Sequence, residues 1–240
     1  MPKITPEKRR FFLTIADQFD NLMNAYDIQR RLEIVFDELL PEDITGKKLV
    51  DIGAGTGWFS SAADRRHAQV HSLDIGLELL MEVRKKVAAR EIAGNAMDLP
   101  FSDNSFDFVI SSEVIEHTEG PEKAVHEMAR VLKPGGIMIV TCPNRVWLWA
   151  VQLANFLKIR PFHGHEDLPS FKNLERFAKT AGLKIEKHLG FHPWPFQIRF
   201  LQEFSRKVDH RYAESIWGRI MINQAIRCRK PVNPRKGSDV

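Results

Sequence analysis

Twelve residues constrain this chain more than any others: Leu49-Val50-Asp51-Ile52-Gly53-Ala54-Gly55-Thr56-Gly57-Trp58-Phe59-Ser60, an apolar run that passes straight into a glycine-rich turn. A strand ending in Asp-x-Gly-x-Gly-x-Gly lets backbone come close to a nucleotide-like ligand, because glycine adopts positive φ and carries no Cβ. The helix that follows then presents free N–H groups at its start. On its own the turn has a plainer explanation, since many strand-to-helix turns carry glycines for steric reasons. The residues downstream decide between the two.

His71-Ser72-Leu73-Asp74-Ile75 reads as a second strand ending in an acid. A carboxylate about 20 residues past such glycines is placed to accept hydrogen bonds from ribose hydroxyls in a βαβ nucleotide unit. Asn95-Ala96-Met97-Asp98-Leu99-Pro100-Phe101 follows, then the apolar run Phe106-Asp107-Phe108-Val109-Ile110-Ser111-Ser112. Leu132-Lys133-Pro134-Gly135-Gly136 reads as a helix end and a turn before another buried strand. Strands alternating with helical patterns predict a parallel sheet with helices on both faces. Strands are expected near 48–52, 69–74, 92–95, 107–111, 136–142, 183–190 and 220–229, and helices over 7–39 (broken), 57–66, 77–89, 121–132 and 171–181, with Gly182 at a helix C-terminus.

Taken in order, Val-Asp-Ile-Gly-Ala-Gly-Thr-Gly, Asp74, Asp98-Leu-Pro-Phe, Ser-Phe-Asp, Glu116-His117 and Leu-Lys-Pro-Gly-Gly resemble the class I S-adenosylmethionine-dependent methyltransferases. The likeness runs from about Lys47 to Asn144 and is strongest to the small-molecule branch that includes the ubiquinone and menaquinone biosynthesis enzymes. It implies an α/β fold: a Rossmann-like, doubly wound, seven-stranded sheet with an antiparallel last strand. A helical N-terminal cover would occupy 1–45, the cofactor-binding core 46–144, and substrate-side insertions with the last strands 145–240, all in one domain.

The resemblance also implies roles. Asp51, Gly53, Ala54, Gly55 and Gly57 would surround the methionine part of S-adenosylmethionine, with Asp51 balancing its ammonium. Asp74 would take the ribose hydroxyls and Ile75 the adenine face, while Ala96, Met97 and Asp98 would meet the adenine edge. Ser112 would lend backbone beside the sulfonium. Each acid also has a plainer reading: a turn acid for Asp51, a helix cap for Asp74, a solvated loop acid for Asp98. His117 and Glu113 are the catalytic candidates, His117 as general base, since imidazole accepts a proton near neutral pH. Holding the loop is the alternative for Glu116-His117. In ubiquinone O-methyltransferases a Glu-x-x-Glu-His set is associated with a divalent cation, and Glu113, Glu116 and His117 match it. No metal is expected here. Tyr26 and Arg30 of the cover are the residues that the family's architecture would bring toward cofactor or substrate.

Composition is that of an ordinary globular chain, with 28% charged and 43% hydrophobic residues. Cys142 and Cys228 provide neither a disulfide framework nor metal spacing. Met1 to Lys8 contain no signal-peptide core, and no apolar run reaches the roughly 20 residues that cross a bilayer, which together point to a cytoplasmic protein. The formal net charge is +4, with cations crowded between Arg199 and Lys236. A solvated face is the plain reading, and an anionic membrane surface or nucleic acid the functional one. His163, Gly164, His165 and Glu166 form either a polar loop or a second acid–base set.

Val146 to Ile159 is apolar on nearly every side and flanked by Arg145, Lys158 and Arg160. It reads as a core helix, a lid over a greasy acceptor, or a helix lying on a membrane, which allows peripheral contact with a membrane's inner face. The expected function is methyl transfer to a small hydrophobic acceptor, with oxygen favoured and a quinone precursor or lipid as the type. The product would be S-adenosylhomocysteine. Two other readings stay open: a nucleic-acid methyltransferase, and a cofactor-binding protein that does not methylate. Against the first, Ser111-Ser112-Glu113-Val114 stands where base-amino methylases place Asn/Asp-Pro-Pro-Tyr/Phe. The oligomeric state is left open by the sequence.

Overall fold

Strand β1 (Lys48–Ile52) is exposed at Lys48 and buried at its next four residues, as expected of a parallel strand covered on both sides. The computed structural model describes residues 20, 23–41, 43–156 and 167–232 of the 240. Among these, β1 is joined by β2 (Gln69–Asp74), β3 (Arg90–Ala93), β4 (Phe106–Ser112), β5 (Leu132–Pro143), β6 (Lys184–Phe191) and β7 (Asn223–Arg229). They form one sheet in the order β3-β2-β1-β4-β5-β7-β6, in which β7 runs antiparallel to both of its neighbours. The expected seven strands and their single reversed member are all present.

Alternation along the strands sorts side chains into two cores. Val50, Val109, Met138 and Val140 face one way and pack with α4 (Pro121–Val131) and α6 (Phe171–Thr180). Their chain neighbours Leu49, Ile110 and Ile139 face the other way, meeting α2 (Trp58–Asp64) and the helical segment of the N-terminus. That segment is α1 (Ala25–Glu33), which continues as a wider π-type turn over Ile34–Leu39. Asn24 caps α1 by accepting from the Tyr26 and Asp27 amides. Residues 7–19 of the expected long helix lie outside the described residues.

Three boundaries differ from the sequence expectation by three residues or more. Helix α3 (Leu77–Lys86) stops before Ala89, because Val87 is extended at φ −143°. Strand β5 begins at Leu132 rather than beyond the glycines; Pro-Gly-Gly is absorbed as an irregularity in pairing with β4, with Gly135 at φ +82°. Strand β7 begins at Asn223, since Gly218–Ile220 coil into a short helical turn. That turn lies against β6 so closely that a Cβ on Gly190 would fall 1.9 Å from the Gly218 carbonyl oxygen. Gly182, at φ +76° after α6, is the helix-ending glycine expected.

Two further helices, α5 (Leu148–Phe156) and α7 (Gln202–Tyr212), belong to the connections after β5 and β6. No residue of α5 is buried, so the core-helix reading of Val146–Phe156 fails. No helix among the described residues is long and apolar enough to cross a membrane.

Candidate active site

The strand order reverses between β1 and β4, and in open α/β sheets ligands sit outside the carboxyl ends of strands at such a point. The glycine turn lies there. Gly53, Gly55 and Gly57 all have positive φ, at 75°, 53° and 89°. A Cβ on Gly53 would meet Val114 Cγ2 at 2.2 Å, across the switch on the loop after β4. Gly53 and Ala54 donate to the Leu73 carbonyl at 2.7 and 3.0 Å, tying the turn to the end of β2.

Asp74 completes that tie. Its Oδ2 accepts from the Gly55 amide at 2.9 Å and its Oδ1 from the Gly76 amide at 2.8 Å. It is buried, and burial pushes its carboxyl above the usual range despite these amides. Each oxygen still has a lone pair for a further donor. Asp74 is therefore held at the turn and is more than a cap on the next helix. Ile75 is half-buried beside it. From the Asp74 carbonyl the chain crosses to Gly94 N at 2.9 Å and enters the 95–98 turn. Asn95 builds that turn, accepting from the Met97 amide at 2.9 Å. Ala96 and Met97 are buried, whereas Asp98 is exposed.

Asp51 lies inside the molecule, accepting from the Ser60 hydroxyl at 2.7 Å, with Ser60 in turn 2.7 Å from Ser72. Burial raises its carboxyl to about 7, Ser60 offsets part of this, and the charge of Asp74 adds to it. A cation brought beside Asp51 would reverse that shift. The turn also carries Asp20 from the N-terminal cover, which accepts from Thr56 Oγ1 and from Trp58 Nε1 at 2.9 Å and pairs with Lys86 at 2.6 Å.

On the other side of the switch, Glu113 takes a left-handed φ of 59°, which a non-glycine residue adopts at a cost. This turns its carboxylate back toward β5 and β7. Oε1 accepts from Thr141 at 3.3 Å, and Asn223 Nδ2 reaches Oε2 at 3.3 Å. Thr141 lies 2.8 Å from Ser112, and Ser112 accepts from Arg31 Nη1 at 3.2 Å. Each hydroxyl has one proton, so with Glu113 ionised the direction is set: Arg31 donates to Ser112, Ser112 to Thr141, and Thr141 to Glu113. Burial raises Glu113 to about 7; Arg31 opposes the shift and Asp27 reinforces it.

Arg31 is itself buried and pairs with Asp27 at 2.6 Å, one helical turn earlier on α1. Asp27 also accepts from His192 Nε2 at 3.1 Å. His192 has no exposed surface and is the second left-handed non-glycine here, at φ 62°. Its amide donates to Asp209 Oδ1 at 3.0 Å, and Asp209 Oδ2 accepts from Arg30 at 3.2 Å. Arg30 is thus shared between Asp209 and Glu38, and Tyr26 donates its hydroxyl to the Gln202 carbonyl at 2.9 Å. The two cover residues singled out in the sequence face the α7 connection. Asp27 and Arg31, which were not singled out, face the site.

His117 ends a short helical turn, Ile115–His117, with its side chain 29% exposed and Nε2 3.9 Å from Glu116 Oε1. Glu116 is buried, and its carbonyl accepts from Asp167 N. Among the described residues no group of three His, Cys, Asp or Glu side chains is disposed to hold a metal ion. Residues 163–166 lie outside the described residues, as do Arg235 and Lys236. Of the basic residues near the C-terminus, Arg227 and Arg229 pair with Glu186. Lys230 donates to the carbonyls of Ala129 and Leu132.

A pH signature follows from Asp51. Its folded value near 7 lies above the ordinary 3.8, so the folded state holds this proton after the unfolded chain has lost it. Its contribution is fully present below about pH 4 and is lost as pH rises through about 7. Asp51→Asn should therefore gain stability relative to the native chain across that window in calorimetric melts. A difference independent of pH would show that Asp51 ionises normally in the fold.

Residues 50–140 match the Methyltransf_11 family, a methyltransferase domain. The chain is 31% identical over 182 residues to a ubiquinone biosynthesis O-methyltransferase of Cupriavidus pinatubonensis, covering 70% of this chain and 72% of that one. It is also 31% identical over 184 residues to a biotin biosynthesis bifunctional protein of Cellvibrio japonicus, covering 71% of this chain but 35% of that protein. It spans less than two thirds of the length of several of its curated relatives. A crystal structure of a SAM-dependent methyltransferase from Thermotoga maritima shares the fold, with TM-score 0.68, 22% identity, and coverage of 92% of this chain and 99% of that one. With the glycine turn, Asp74 and the reversed β7 all in place, the chain belongs to the class I S-adenosylmethionine-dependent methyltransferases.

Proposed function

We propose that the chain methylates an oxygen of a small, hydrophobic acceptor bound between α1, the loop after β4 and the connection from β6 to β7. The observation that carries this reading is Glu113. A carboxyl near 7, in a strained left-handed turn at the end of β4, is matched to accepting a proton at neutral pH. Two buried polar atoms beside it, Arg31 Nε and Asn223 Oδ1, make no hydrogen bond within the protein. Such atoms are rare in folded proteins and here they offer one donor and one acceptor to a polar group of the acceptor. The rings of Tyr26, Phe191 and Phe196 gather around His192 at centroid distances of 5.6, 5.0 and 4.9 Å and hold it against Asp27.

The cofactor fits the residues on the other side. Bound there, S-adenosylmethionine supplies an electrophilic methyl group. Asp74 would hold the ribose hydroxyls, and Asp51 would face the ammonium. Gly53, Ala54, Gly55 and Gly57 would bring backbone close, while Ile75, Ala96 and Met97 would enclose the adenine and Asp98 take its amino group. Ser112 would position backbone next to the reacting centre. Glu113 would remove or share the acceptor's proton, with His117 as the second candidate base. The cover, tied to the turn through Asp20, would exclude water.

Labelled methyl donor, purified protein and a fractionated extract test this together. The expected result is label in an organic-soluble small molecule, released as an ether, and loss of most turnover in Glu113→Gln with unchanged affinity for S-adenosylhomocysteine. Label in RNA or DNA, or full activity of Glu113→Gln, would overturn the reading.

A further inference from the structure

Away from this network the C-terminal edge of the sheet carries a face that the fold leaves open. Helix α5 exposes Trp149, Leu153 and Phe156 by 61, 50 and 82%. Their spacing of four and three residues puts them on one stripe. The turn before β7 exposes Ile216, Trp217 and Ile220 by 77, 61 and 52%. The two segments are joined: Trp147 Nε1 donates to the Ile220 carbonyl at 2.8 Å, and Asn144 Nδ2 donates to the carbonyls of Arg219 and Met221 at 2.8 and 3.1 Å. The Trp147 ring stacks on Trp149 at 5.9 Å. These apolar side chains therefore stand on one connected support, and exposed apolar surface of this extent marks an interaction site.

Charge identifies the occupant. Arg145, Arg211 and Arg219 are exposed beside the apolar residues. Arg145 and Arg219 lie 3.8 and 3.5 Å from Asp167 and Glu175, Glu214 pairs with Lys187, and the stretches 145–156 and 211–221 carry three arginines to one acid. Tryptophans and aliphatic side chains flanked by arginines match the boundary of an anionic bilayer, where rings lie at headgroup depth and cations meet phosphate. A nine-residue helix cannot span a bilayer, but it can lie in its surface. We propose that this face docks the protein on anionic membranes, with α5 and the 216–220 turn immersed in the interface. Both segments leave from the sheet edge that holds the glycine turn. Docking would thus set the acceptor side of the site toward the lipid, a consequence that rests on the proposed acceptor, whereas the docking itself does not.

The test needs no turnover. The full chain is floated with phosphatidylcholine vesicles and with vesicles containing about 30% phosphatidylglycerol, at low and at raised salt. Binding is expected to the anionic vesicles, and it should fall several-fold with salt. The pair Leu153→Glu with Ile216→Glu should weaken it about tenfold or more. The pair Arg211→Ser with Arg219→Ser should weaken it on anionic vesicles alone. Unchanged melting temperature and S-adenosylhomocysteine affinity establish that the variants are folded. Three results would overturn the proposal: no flotation with either vesicle, equal flotation of native and Glu variants, or a dimer in solution that the Glu substitutions dissolve. The last would assign the face to a second copy of the chain.

Discussion

Replacing Asp74 with alanine is expected to lower affinity for S-adenosylhomocysteine by about 100-fold or more. Hydrogen bonds to a charged group are worth about 1.5–3 kcal/mol each, and a ribose offers two hydroxyls. The same change removes the acceptor for the Gly55 and Gly76 amides, so the turn itself loosens. Calorimetric titration separates the effects when read beside thermal melts. A large affinity loss with a small drop in melting temperature assigns Asp74 to the ligand. An affinity within threefold of the native value would remove Asp74 from the cofactor site, leaving it as a strap that ties β2 to the turn. Asp98→Ala, at an exposed position, should cost less, because an exposed carboxylate gains less from a hydrogen bond than a buried one.

Arg31→Met should be the most destabilising single change in the acceptor side of the site, by about 3–5 kcal/mol. The guanidinium is buried and compensates Asp27 directly and Glu113 through the field. Without it Glu113, whose proton affinity Asp27 already raises, shares one enclosed region with that second carboxylate. Methionine fills much of the volume, so the loss reports on charge and less on packing. Denaturant unfolding of Arg31→Met beside Arg31→Met with Asp27→Asn gives the check: neutralising Asp27 should recover a large part of the loss. A cost below about 1 kcal/mol would mean that water reaches the cluster and screens it.

The legible part of the protein is the part whose partners are near in sequence. Asp74 meets Gly55 across 19 residues, one strand and one helix away, and the strand–turn–strand order dictates that meeting. The seven strands could be read because those buried on both faces are near-continuous apolar runs. What escaped was either long-range or ambiguous in pattern. Nothing near Asp27 signals His192, which lies 165 residues on, and Arg30 is as basic as Arg31 while facing a different partner. Pro134-Gly135-Gly136 looks like a turn, and only the pairing of Phe106 with Leu132 reveals a strand already begun. For α5 the helix was readable but its exposure was not, since an all-apolar segment has no polar face to orient it.

The Arg30 and Arg31 pairings also bear on how the chain is made. Helix α1 is the first full helix of the described residues to leave a ribosome, yet His192 and Asp209 emerge 165 and 179 positions after the residues they join. Until then Asp27 lacks its histidine and Arg30 its buried carboxylate, while Arg31 can already meet Asp27 on its own helix and Ser112 at the end of β4. The helix that covers the site thus takes two of its buried ties from the far end of the chain. A product stopped before His192 would carry the glycine turn and α1 without either of these two ties.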